Sequence, residues 1–452
     1  MPRFMIAAAH KSSGKTVLST GLARALSDKG MAVAPFKKGP DYIDPMWLTA
    51  AARRPCYNLD FNTQTDAEIG RFFASRAAGS DIALVEANKG LFDGLSMDGR
   101  DSNAALAKAL GLPVVLVIDT NGMTRGIAPL LQGYQAFDAA VNIAGVILNK
   151  VGGPRHEAKL REAVETYTDL PVLGAVPRNR ALEIGERHLG LTTPAETGAL
   201  DEMIARVGKI VSEGVDLSLL LALARSALPL PAPSATAPAR APDITIAYPK
   251  DRAFGFYYPD DLEAFAAEGA RLVPFDSMRD PALPPCDGLL IGGGFPEMFI
   301  AELEANASLR ADIRSRIERG LPTYAECGGL MYLCRSIIAQ GRRGEMVGVI
   351  AADAVMHARP QGRGYTRFSD RPEHPWPGAT GERRAHEFHY ARLEGLNGEP
   401  RFARDILRGY GVDGRHDGII VHNTLAGFCH LRATEADNWV ARFVDFVRSR
   451  RA

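Results

Sequence analysis

The sequence has no net charge and few cysteines. Lysine plus arginine and aspartate plus glutamate both number 53 among the 452 residues, so no overall field exists to hold a nucleic acid or an acidic membrane surface. The five cysteines are an odd number without ladder spacing or paired CxxC motifs, which is typical of reduced thiols without a metal cluster. No apolar run reaches about 18 residues, and the N-terminus lacks the features of a signal peptide. We therefore expect a cytoplasmic protein without a nucleic acid or membrane partner.

A stretch rich in proline and alanine, residues 226–243, has no helical or alternating period and predicts a linker. In residues 1–225, continuous apolar strands alternate with amphipathic helices, which predicts a parallel sheet covered on both faces. The alternation restarts in residues 244–452, with one helix expected across residues 298–320 and antiparallel strands after about Val347. Two α/β domains are therefore expected.

The stretch "AHKSSGKT" follows an apolar strand and opens a helix. In a phosphate loop of this kind, backbone N–H groups bind phosphate oxygens, the lysine reaches the terminal phosphates, and the threonine hydroxyl takes Mg²⁺. The predicted nucleotide-binding residues are Ser12, Ser13, Gly14, Lys15 and Thr16.

Acidic residues at the ends of the following strands are candidates for a Mg²⁺ site, because Mg²⁺ that bridges phosphates takes one or two carboxylates. The candidates are Asp41, Asp44, Glu86 and Asp119. Any of them could instead cap a helix, although Glu86 is followed by a glycine-rich loop that contains Asp93. Asn149, at the end of "VILNK", offers an amide that could read a purine base or hold a turn.

Cys327 lies in "YAECGG", which has the strand, nucleophile and helix order of a nucleophile elbow. A helix N-terminus lowers the pKa of a thiol, and a nucleophilic thiol needs such a setting or a base. Gly329 would permit close packing behind the turn, whereas Cys334 is expected to pack as a small hydrophobic residue. We therefore predict that Cys327 is a nucleophile.

A base and an oxyanion site are needed beside this thiol. His430 ends an apolar run and is expected to project from a strand towards the site, with His422 as the competitor. Upstream, "LLIGGGFPE" places glycines 292–294 at a strand end, where bare backbone can direct N–H groups at an oxyanion. The segment "HEFHY" does not have the zinc spacing HExxH; strand alternation puts His386, Phe388 and Tyr390 on one face and Glu387 with His389 on the other.

Taken together, these motifs resemble the cobyrinic acid or hydrogenobyrinic acid a,c-diamide synthase family of vitamin B12 biosynthesis. The stretches that carry the resemblance are "SSGKT", "FKKGPDYIDPMW", "VEANKGLFDG", "VILNKVGGPRHEAKLREA", "GFYYPDDLEAF", "LIGGGFPE", "YAECGGLMYL" and "HEFHY". The family implies an N-terminal P-loop amidoligase domain similar to dethiobiotin synthetase and a C-terminal class I glutamine amidotransferase-like domain. It also implies ATP and glutamine as substrates, Mg²⁺ as cofactor and a corrinoid as the molecule amidated, with homodimerisation left open.

The resemblance implies roles for individual residues. Cys327 would attack glutamine, His430 would act as general acid and base, and Gly293 with Gly294 would bind the oxyanion. The residues assigned to ATP are those of the phosphate loop and Asn149, and those assigned to Mg²⁺ are Thr16, Glu86 and Asp41. The residues expected at the transferred phosphate and the accepting carboxylate are Lys38, Asp44 and Asp93. A basic patch for the macrocycle is expected from Lys37, Lys38, Arg53 and Arg54.

One departure and two alternatives bear on this interpretation. Class I amidotransferases usually carry a glutamate two residues after the histidine, and Arg432 stands there, so the third member of the triad is either missing or supplied from elsewhere in the chain, and we infer a Cys–His dyad. An alternative enzyme is cobyric acid synthase, which amidates other side chains of the same ring system. A different class is a partitioning or regulatory ATPase with an inactive amidotransferase module; its second lysine would stand where this chain has His10.

Overall fold

The computed structural model describes residues 1–179, 182, 186–187, 190–191, 193–194, 199–229, 240–376, 380–396 and 398–451. The chain forms two compact units, Met1–Ala235 and Thr236–Ala452. Of the predicted linker, residues 230–239 lie outside the described part of the chain. No helix in that described part combines the length and the apolar character needed to cross a membrane.

The first unit is built on a seven-stranded sheet in the order β3-β2-β4-β1-β5-β6-β7, and every neighbouring pair in it is parallel. The strands of this unit are β1 (Arg3–Ala8), β2 (Val33–Lys38), β3 (Tyr57–Leu59), β4 (Ile82–Glu86), β5 (Val114–Asp119), β6 (Ile143–Val151), β7 (Val172–Pro177) and the short pair β8 (Glu186–Arg187) and β9 (Gly190–Leu191). Its helices are α1 (Lys15–Asp28), α2 (Ile43–Ala52), α3 (Asp66–Ala77), α4 (Asn103–Ala109), α5 (Ile127–Phe137), α6 (Pro154–Tyr167), α7 (Leu200–Gly214) and α8 (Leu217–Ala224).

The central strands are apolar along their whole length because helices cover both faces of the sheet. Every residue of β1, β2 and β4 is buried. On one face α1 packs against α7, where a Cβ on Gly21 would lie 2.8 Å from the Val211 Cβ atom. The carboxyl ends of the parallel strands therefore meet at one edge, which is the usual place for a ligand site in such sheets.

The second unit contains a nine-stranded sheet, a four-stranded sheet and a two-stranded pair. Its strands are β10 (Ile244–Pro249), β11 (Phe254–Phe256), β12 (Ala270–Phe275), β13 (Gly288–Ile291), β14 (Gly293–Gly294), β15 (Thr323–Glu326), β16 (Cys334–Ala339), β17 (Arg342–Glu345), β18 (Ile350–Met356), β19 (Gly362–Asp370), β20 (Glu382–His389), β21 (Ala391–Glu394), β22 (Arg401–Arg408), β23 (His416–Val421) and β24 (Thr424–Gly427). Its helices are α9 (Pro259–Ala267), α10 (Ile300–Ala305), α11 (Ala307–Glu318), α12 (Gly328–Leu333) and α13 (Trp439–Ser449).

The large sheet has the order β12-β10-β13-β15-β24-β23-β22-β19-β20. It is parallel from β12 to β24 and antiparallel from β24 to β20. The single helix expected across residues 298–320 is wrong. Asn306 separates α10 from α11 and caps the second helix, its side-chain oxygen accepting a hydrogen bond from the Leu309 N–H at 3.4 Å.

Candidate active sites

The phosphate loop connects β1 to α1 in the first unit. Gly14 has φ of +88°, a left-handed conformation that glycine adopts without strain. Lys15 Nζ donates to the Lys89 carbonyl at 2.6 Å, and burial together with the charge of Lys37 lowers the pKa of Lys15 to about 8. The loop therefore has the predicted position between strand and helix, with its lysine directed at the loop that follows β4.

Asn149 supports this loop from the end of β6. Its Nδ2 donates to the Ser13 carbonyl at 2.8 Å, and a Cβ on Gly14 would collide with the same amide. The amide nitrogen thus holds the phosphate loop in place. A purine-reading role for Asn149 stays a prediction.

A cluster of charged side chains lies beside the loop, at the ends of β2 and β4. Lys37 and Glu86 are directly opposite each other in these strands, and Lys37 Nζ lies 2.6 Å from Glu86 Oε1. The same ammonium lies 2.6 Å from Asp44 Oδ2 and 3.9 Å from Asp41 Oδ2. Thr16 Oγ1 donates to Glu86 Oε1 at 2.9 Å. The structure therefore brings together the Thr16 hydroxyl and three of the carboxylates predicted for Mg²⁺ and phosphoryl transfer, those of Asp41, Asp44 and Glu86.

Burial controls the protonation of this cluster. Burial and the neighbouring charge of Asp44 raise the pKa of Asp41 to about 7, and burial also raises the pKa of Glu86. Burial opposes the charge of Lys37, but Asp44 and Glu86 outweigh it and raise the pKa of Lys37 well above its ordinary value. Lys37 is thus a permanent cation among acids.

Lys37 enters the cluster where Lys38 was predicted. Lys38 Nζ donates instead to the Asp101 carbonyl at 2.6 Å, because neighbouring residues of a strand point to opposite faces. Asp93 accepts a hydrogen bond from the Gly90 N–H at 2.9 Å, and its charge acts on Lys15. Asp93 is therefore close to the phosphate loop, whereas Lys38 has separate partners.

The basic patch predicted for the macrocycle is not formed by Lys37, Lys38 or Arg53. Lys37 and Lys38 are buried, with 3% and 5% of their surface exposed. Arg53 follows α2 and pairs with Asp28, the last residue of α1, at 3.5 Å. Since α1 begins at Lys15 and is about 20 Å long, this pair lies at the opposite end of the helix from the phosphate loop.

The second site is centred on Cys327, between β15 and α12. The residue has φ of +49° and ψ of −101°, a strained conformation for a side chain with a Cβ. Its N–H donates to the Gly427 carbonyl at 2.8 Å, and its Sγ lies 3.9 Å from the Phe388 carbonyl oxygen. Behind the turn, a Cβ on Gly329 would collide with the Ile291 carbonyl. These are the features of a nucleophile elbow.

His430 is the imidazole beside this thiol. Its Nδ1 lies 3.3 Å from Glu326 Oε2. Burial opposes protonation of His430, but hydrogen bonds to Cys327 and Glu326 outweigh it and raise the His430 pKa to about 10. His422, the competing candidate, is exposed in the turn between β23 and β24.

The expectation that His430 projects from a strand is wrong, because β24 ends at Gly427. The His430 N–H donates to the His386 carbonyl at 2.8 Å, and the two imidazole rings stack with centroids 4.9 Å apart. Asp417 accepts a hydrogen bond from the Phe428 N–H at 2.8 Å. The His430 backbone is therefore held by an isolated bridge to His386, and the buried Asp417 carboxylate holds the chain two residues earlier, at Phe428.

The "HEFHY" segment has the predicted alternation of faces in β20. His386 faces His430, and burial together with the charge of His430 lowers the pKa of His386 well below its ordinary value. On the other face, His389 Nε2 lies 3.6 Å from Glu387 Oε2. Glu387 also accepts hydrogen bonds from the Tyr410 and Gly411 N–H groups. One face of the motif thus serves the thiol site and the other anchors a loop.

The glycines predicted for the oxyanion approach Cys327 closely. Gly293 and Gly294 form β14, and a Cβ on Gly328 would lie 3.0 Å from the Gly294 nitrogen. A Cβ on Gly293 would lie 2.8 Å from His430 Cε1. The absence of side chains here allows the strand end to reach both the residue after the nucleophile and the imidazole.

The geometry differs from a bare Cys–His pair, because the Glu326 carboxylate also contacts His430. Arg432, at the position where an acid was expected, pairs with Asp260 at 3.0 Å in the protein interior. Glu326 is not among the residues predicted from the sequence. Its signal was an acidic residue in an apolar strand directly before the nucleophile, on the same face as Tyr324.

Two family models match the chain. Residues 4–191 match the CobQ/CobB/MinD/ParA nucleotide binding domain, and residues 245–438 match the CobB/CobQ-like glutamine amidotransferase domain. The cobyrinate a,c-diamide synthase of Magnetococcus marinus is 44% identical over 100% of this chain and 98% of its own length. The synthase of the same name from Methanosarcina acetivorans is 39% identical over 95% of this chain and 92% of its own length.

The chain belongs to the cobyrinate a,c-diamide synthase family. This confirms the family resemblance drawn from the motifs, together with the expected combination of a P-loop nucleotide-binding domain and a glutamine amidotransferase domain. As a member of the cobyrinate a,c-diamide synthase family, the chain is an ATP-dependent ligase that takes its amide nitrogen from glutamine.

Proposed function

We propose that this ligase amidates the a and c carboxylates of cobyrinic acid or hydrogenobyrinic acid. The observation that carries the proposal is full-length identity of 44% to a cobyrinate a,c-diamide synthase, and it is supported by a phosphate loop and a thiol beside an imidazole in the same chain. We assign residues 1–225 to the amidoligase domain, residues 226–243 to the linker and residues 244–452 to the amidotransferase domain. A cytoplasmic location is part of the proposal.

Ammonia is released at Cys327. Its sulfur attacks the side-chain carbon of glutamine, and the oxyanion that forms is stabilised by the N–H groups of Gly293 and Gly294. His430 gives a proton to the departing ammonia, and a thioester to Cys327 remains. Water then attacks the thioester while His430 accepts its proton, and glutamate leaves. The raised pKa of His430, about 10, supports its role as the proton donor at neutral pH.

Carboxylate activation occurs in the first unit. The γ-phosphoryl group of ATP passes to a substrate carboxylate oxygen, ADP leaves, and ammonia displaces phosphate from the acyl phosphate. Phosphoryl transfer requires positioning and neutralisation of charge. Lys15 is assigned to the terminal phosphates, and Asp44 and Asp93 to the surroundings of the transferred group. We assign Lys37 rather than Lys38 to this centre, because its ammonium lies among the carboxylates.

The side chains at this centre fit Mg²⁺. Thr16, Glu86 and Asp41 offer the oxygen ligands that this ion prefers, and Glu86 Oε2 is buried without a hydrogen-bond donor from the described residues. Mg²⁺ that bridges phosphates takes one or two carboxylates from the protein and keeps several waters. When bound, Mg²⁺ neutralises phosphate charge.

The test is mass spectrometry of cobyrinic and hydrogenobyrinic acids incubated with the protein, Mg-ATP and glutamine. We expect two amidations on at least one of them. The matched variant is Cys327→Ser, which is expected to lose the reaction with glutamine and to keep it with added ammonia. ATP hydrolysis without any amidated product would overturn the proposed substrate.

A further inference from the structure

Glu326 occupies the place of the acid that Arg432 lacks. Its side chain is buried, with 6% of its surface exposed, and Oε2 lies 3.3 Å from His430 Nδ1. The other oxygen, Oε1, accepts hydrogen bonds from the Tyr324 hydroxyl at 2.6 Å and from the Leu431 N–H at 2.9 Å. Two donors therefore fix one oxygen of the carboxylate, and the other oxygen faces the imidazole.

We propose that Glu326 is the positioning residue of the thiol site, taking the place of the acid that usually follows the histidine. Its carboxylate accepts the Nδ1 proton of His430 in a hydrogen bond, which leaves Nε2 as the nitrogen that exchanges a proton with Cys327. It also stabilises the imidazolium that forms when His430 holds that proton. This inference rests on the proposed roles of Cys327 and His430.

Arg432 explains why the acid is not at the usual position. Its guanidinium lies 3.0 Å from Asp260 Oδ2 and 5.2 Å from the centre of the Tyr258 ring. The following N–H, that of Ala433, donates to Asp261 at 2.7 Å. The segment after His430 therefore binds the start of α9, and Arg432 contributes to that contact rather than to the imidazole.

Replacing Glu326 by glutamine distinguishes a residue that positions the His430 imidazole from one that only supports the local fold. The amide oxygen can keep the hydrogen bonds from Tyr324 and Leu431, but the amide nitrogen then faces His430 Nδ1. Because that nitrogen donates, the neutral imidazole carries its proton on Nε2 and cannot accept one from Cys327. Glu326→Asp keeps the charge on a side chain one methylene shorter. If Glu326 only supports the fold, Glu326→Gln is expected to be more active than Glu326→Asp. If Glu326 positions His430, Glu326→Asp is expected to be the more active variant.

The experiment measures glutamine hydrolysis by the full-length chain as a function of pH. Glu326→Gln is expected to lose about 100-fold or more in kcat, with Glu326→Asp more active than Glu326→Gln. The high-pH limb of the profile is expected to move to lower pH in Glu326→Gln, because removing the negative charge lowers the His430 pKa. Tyr324→Phe removes one of the two donors that fix Glu326 Oε1, so it is expected to lower kcat by less than Glu326→Gln, and it carries the test if Glu326→Gln does not fold; wild-type kcat in Tyr324→Phe would then overturn the proposal.

The controls distinguish the inference from the function on which it rests. Cys327→Ser and His430→Asn are measured in the same assay. If both retain glutamine hydrolysis, the proposed thiol site is wrong. If both lose it while Glu326→Gln keeps wild-type kcat and an unchanged pH profile, the site stands and the role of Glu326 is overturned. A Glu326→Gln variant that is more active than Glu326→Asp also overturns it.

Discussion

Lys37 Nζ and Glu86 Oε1 lie 2.6 Å apart at the ends of two neighbouring parallel strands. The pair is almost completely buried, with 3% of the lysine side chain and none of the glutamate exposed. Two more carboxylates face the same ammonium. A single lysine therefore neutralises part of a strongly acidic centre before any nucleotide binds.

Removing the Lys37 charge is expected to destabilise the first unit. Lys37→Met leaves buried carboxylates without their partner, which costs about 3–5 kcal/mol. The matched variant Lys38→Met removes an ammonium that donates to the Asp101 carbonyl and is expected to cost about 2 kcal/mol. The loss of stability in each variant is measured by urea unfolding, monitored by hydrogen exchange of peptides from β1 and β4. A larger loss for Lys38→Met would contradict the assignment of Lys37.

Mg²⁺ is expected to restore part of the stability of Lys37→Met. The added cation replaces the missing positive charge between the carboxylates, so the unfolding midpoint of this variant rises with Mg²⁺ concentration more steeply than that of Lys38→Met. The measurement is the same unfolding experiment with and without Mg²⁺. Equal responses of the two variants would mean that the ion does not bind at this cluster.

Gly293 is expected to tolerate no side chain. In Gly293→Ala the new Cβ would lie 2.8 Å from His430 Cε1 and 3.3 Å from the Phe256 side chain, so the imidazole is displaced from Cys327. Glutamine-dependent amidation is expected to fall about 100-fold, while amidation with added ammonia is unchanged. Glutamine hydrolysis at the wild-type rate would show that the glycine strand end does not adjoin the working imidazole.

The strain at Cys327 is expected to appear as a difference between two inactive variants. Cys327→Gly and Cys327→Ala both lose the sulfur, but only glycine adopts φ of +49° and ψ of −101° at little cost. The glycine variant is expected to be more stable than the alanine variant by about 1 kcal/mol, since strain of about 1–3 kcal/mol is relieved and chain entropy offsets part of it. Hydrogen exchange of β15 checks this. Equal stability would mean that the elbow is unstrained.

The stability of the second unit is expected to fall at high pH through His430. The folded pKa of about 10 lies above the ordinary value of about 6.5. The contribution is therefore complete below about pH 6.5 and is lost as the pH rises through about 10, with an upper limit of about 5 kcal/mol. In His430→Asn this part of the pH dependence is expected to disappear. A loss of the same size in the variant would assign it to other groups.

The parts of the sites that could be predicted from sequence are those in which chemistry and backbone are encoded together. Gly14 and Lys15 follow one another between a strand and a helix, and Cys327 occupies the turn between another strand and helix. In both, the spacing along the chain sets the spacing in space. Glu86 ends β4, and Asp44 lies in the first turn of α2, which follows the neighbouring strand β2, so both carboxylates lie at the same edge of the sheet.

The errors arose where contacts depend on residues distant in sequence. The choice between Lys37 and Lys38 depends on which face of β2 lies next to Glu86. Period-two alternation places the two lysines on opposite faces but does not identify the face that Glu86 shares. Arg432 was correctly identified as a departure, but its replacement stands 104 positions away from His430 and requires the β15–β24 pairing to be seen. The break at Asn306 could have been predicted from local sequence, because asparagine is a preferred residue at a helix N-terminus. The apolar period that continues on both sides of Asn306 obscured it.

The position of Glu326 immediately before Cys327 also orders events during synthesis. Nucleophile and acid leave the ribosome together, whereas the imidazole follows about a hundred residues later, on the order of ten seconds at ordinary rates of translation. In the folded chain, N–H groups of residues 428–433 donate to three buried carboxylates, those of Asp417, Glu326 and Asp261. Before these hydrogen bonds form, the nascent chain carries the Cys327 thiol without the His430 imidazole beside it. If Cys327 and His430 have their proposed roles, the growing polypeptide therefore gains glutamine chemistry only after the C-terminal segment has joined the fold.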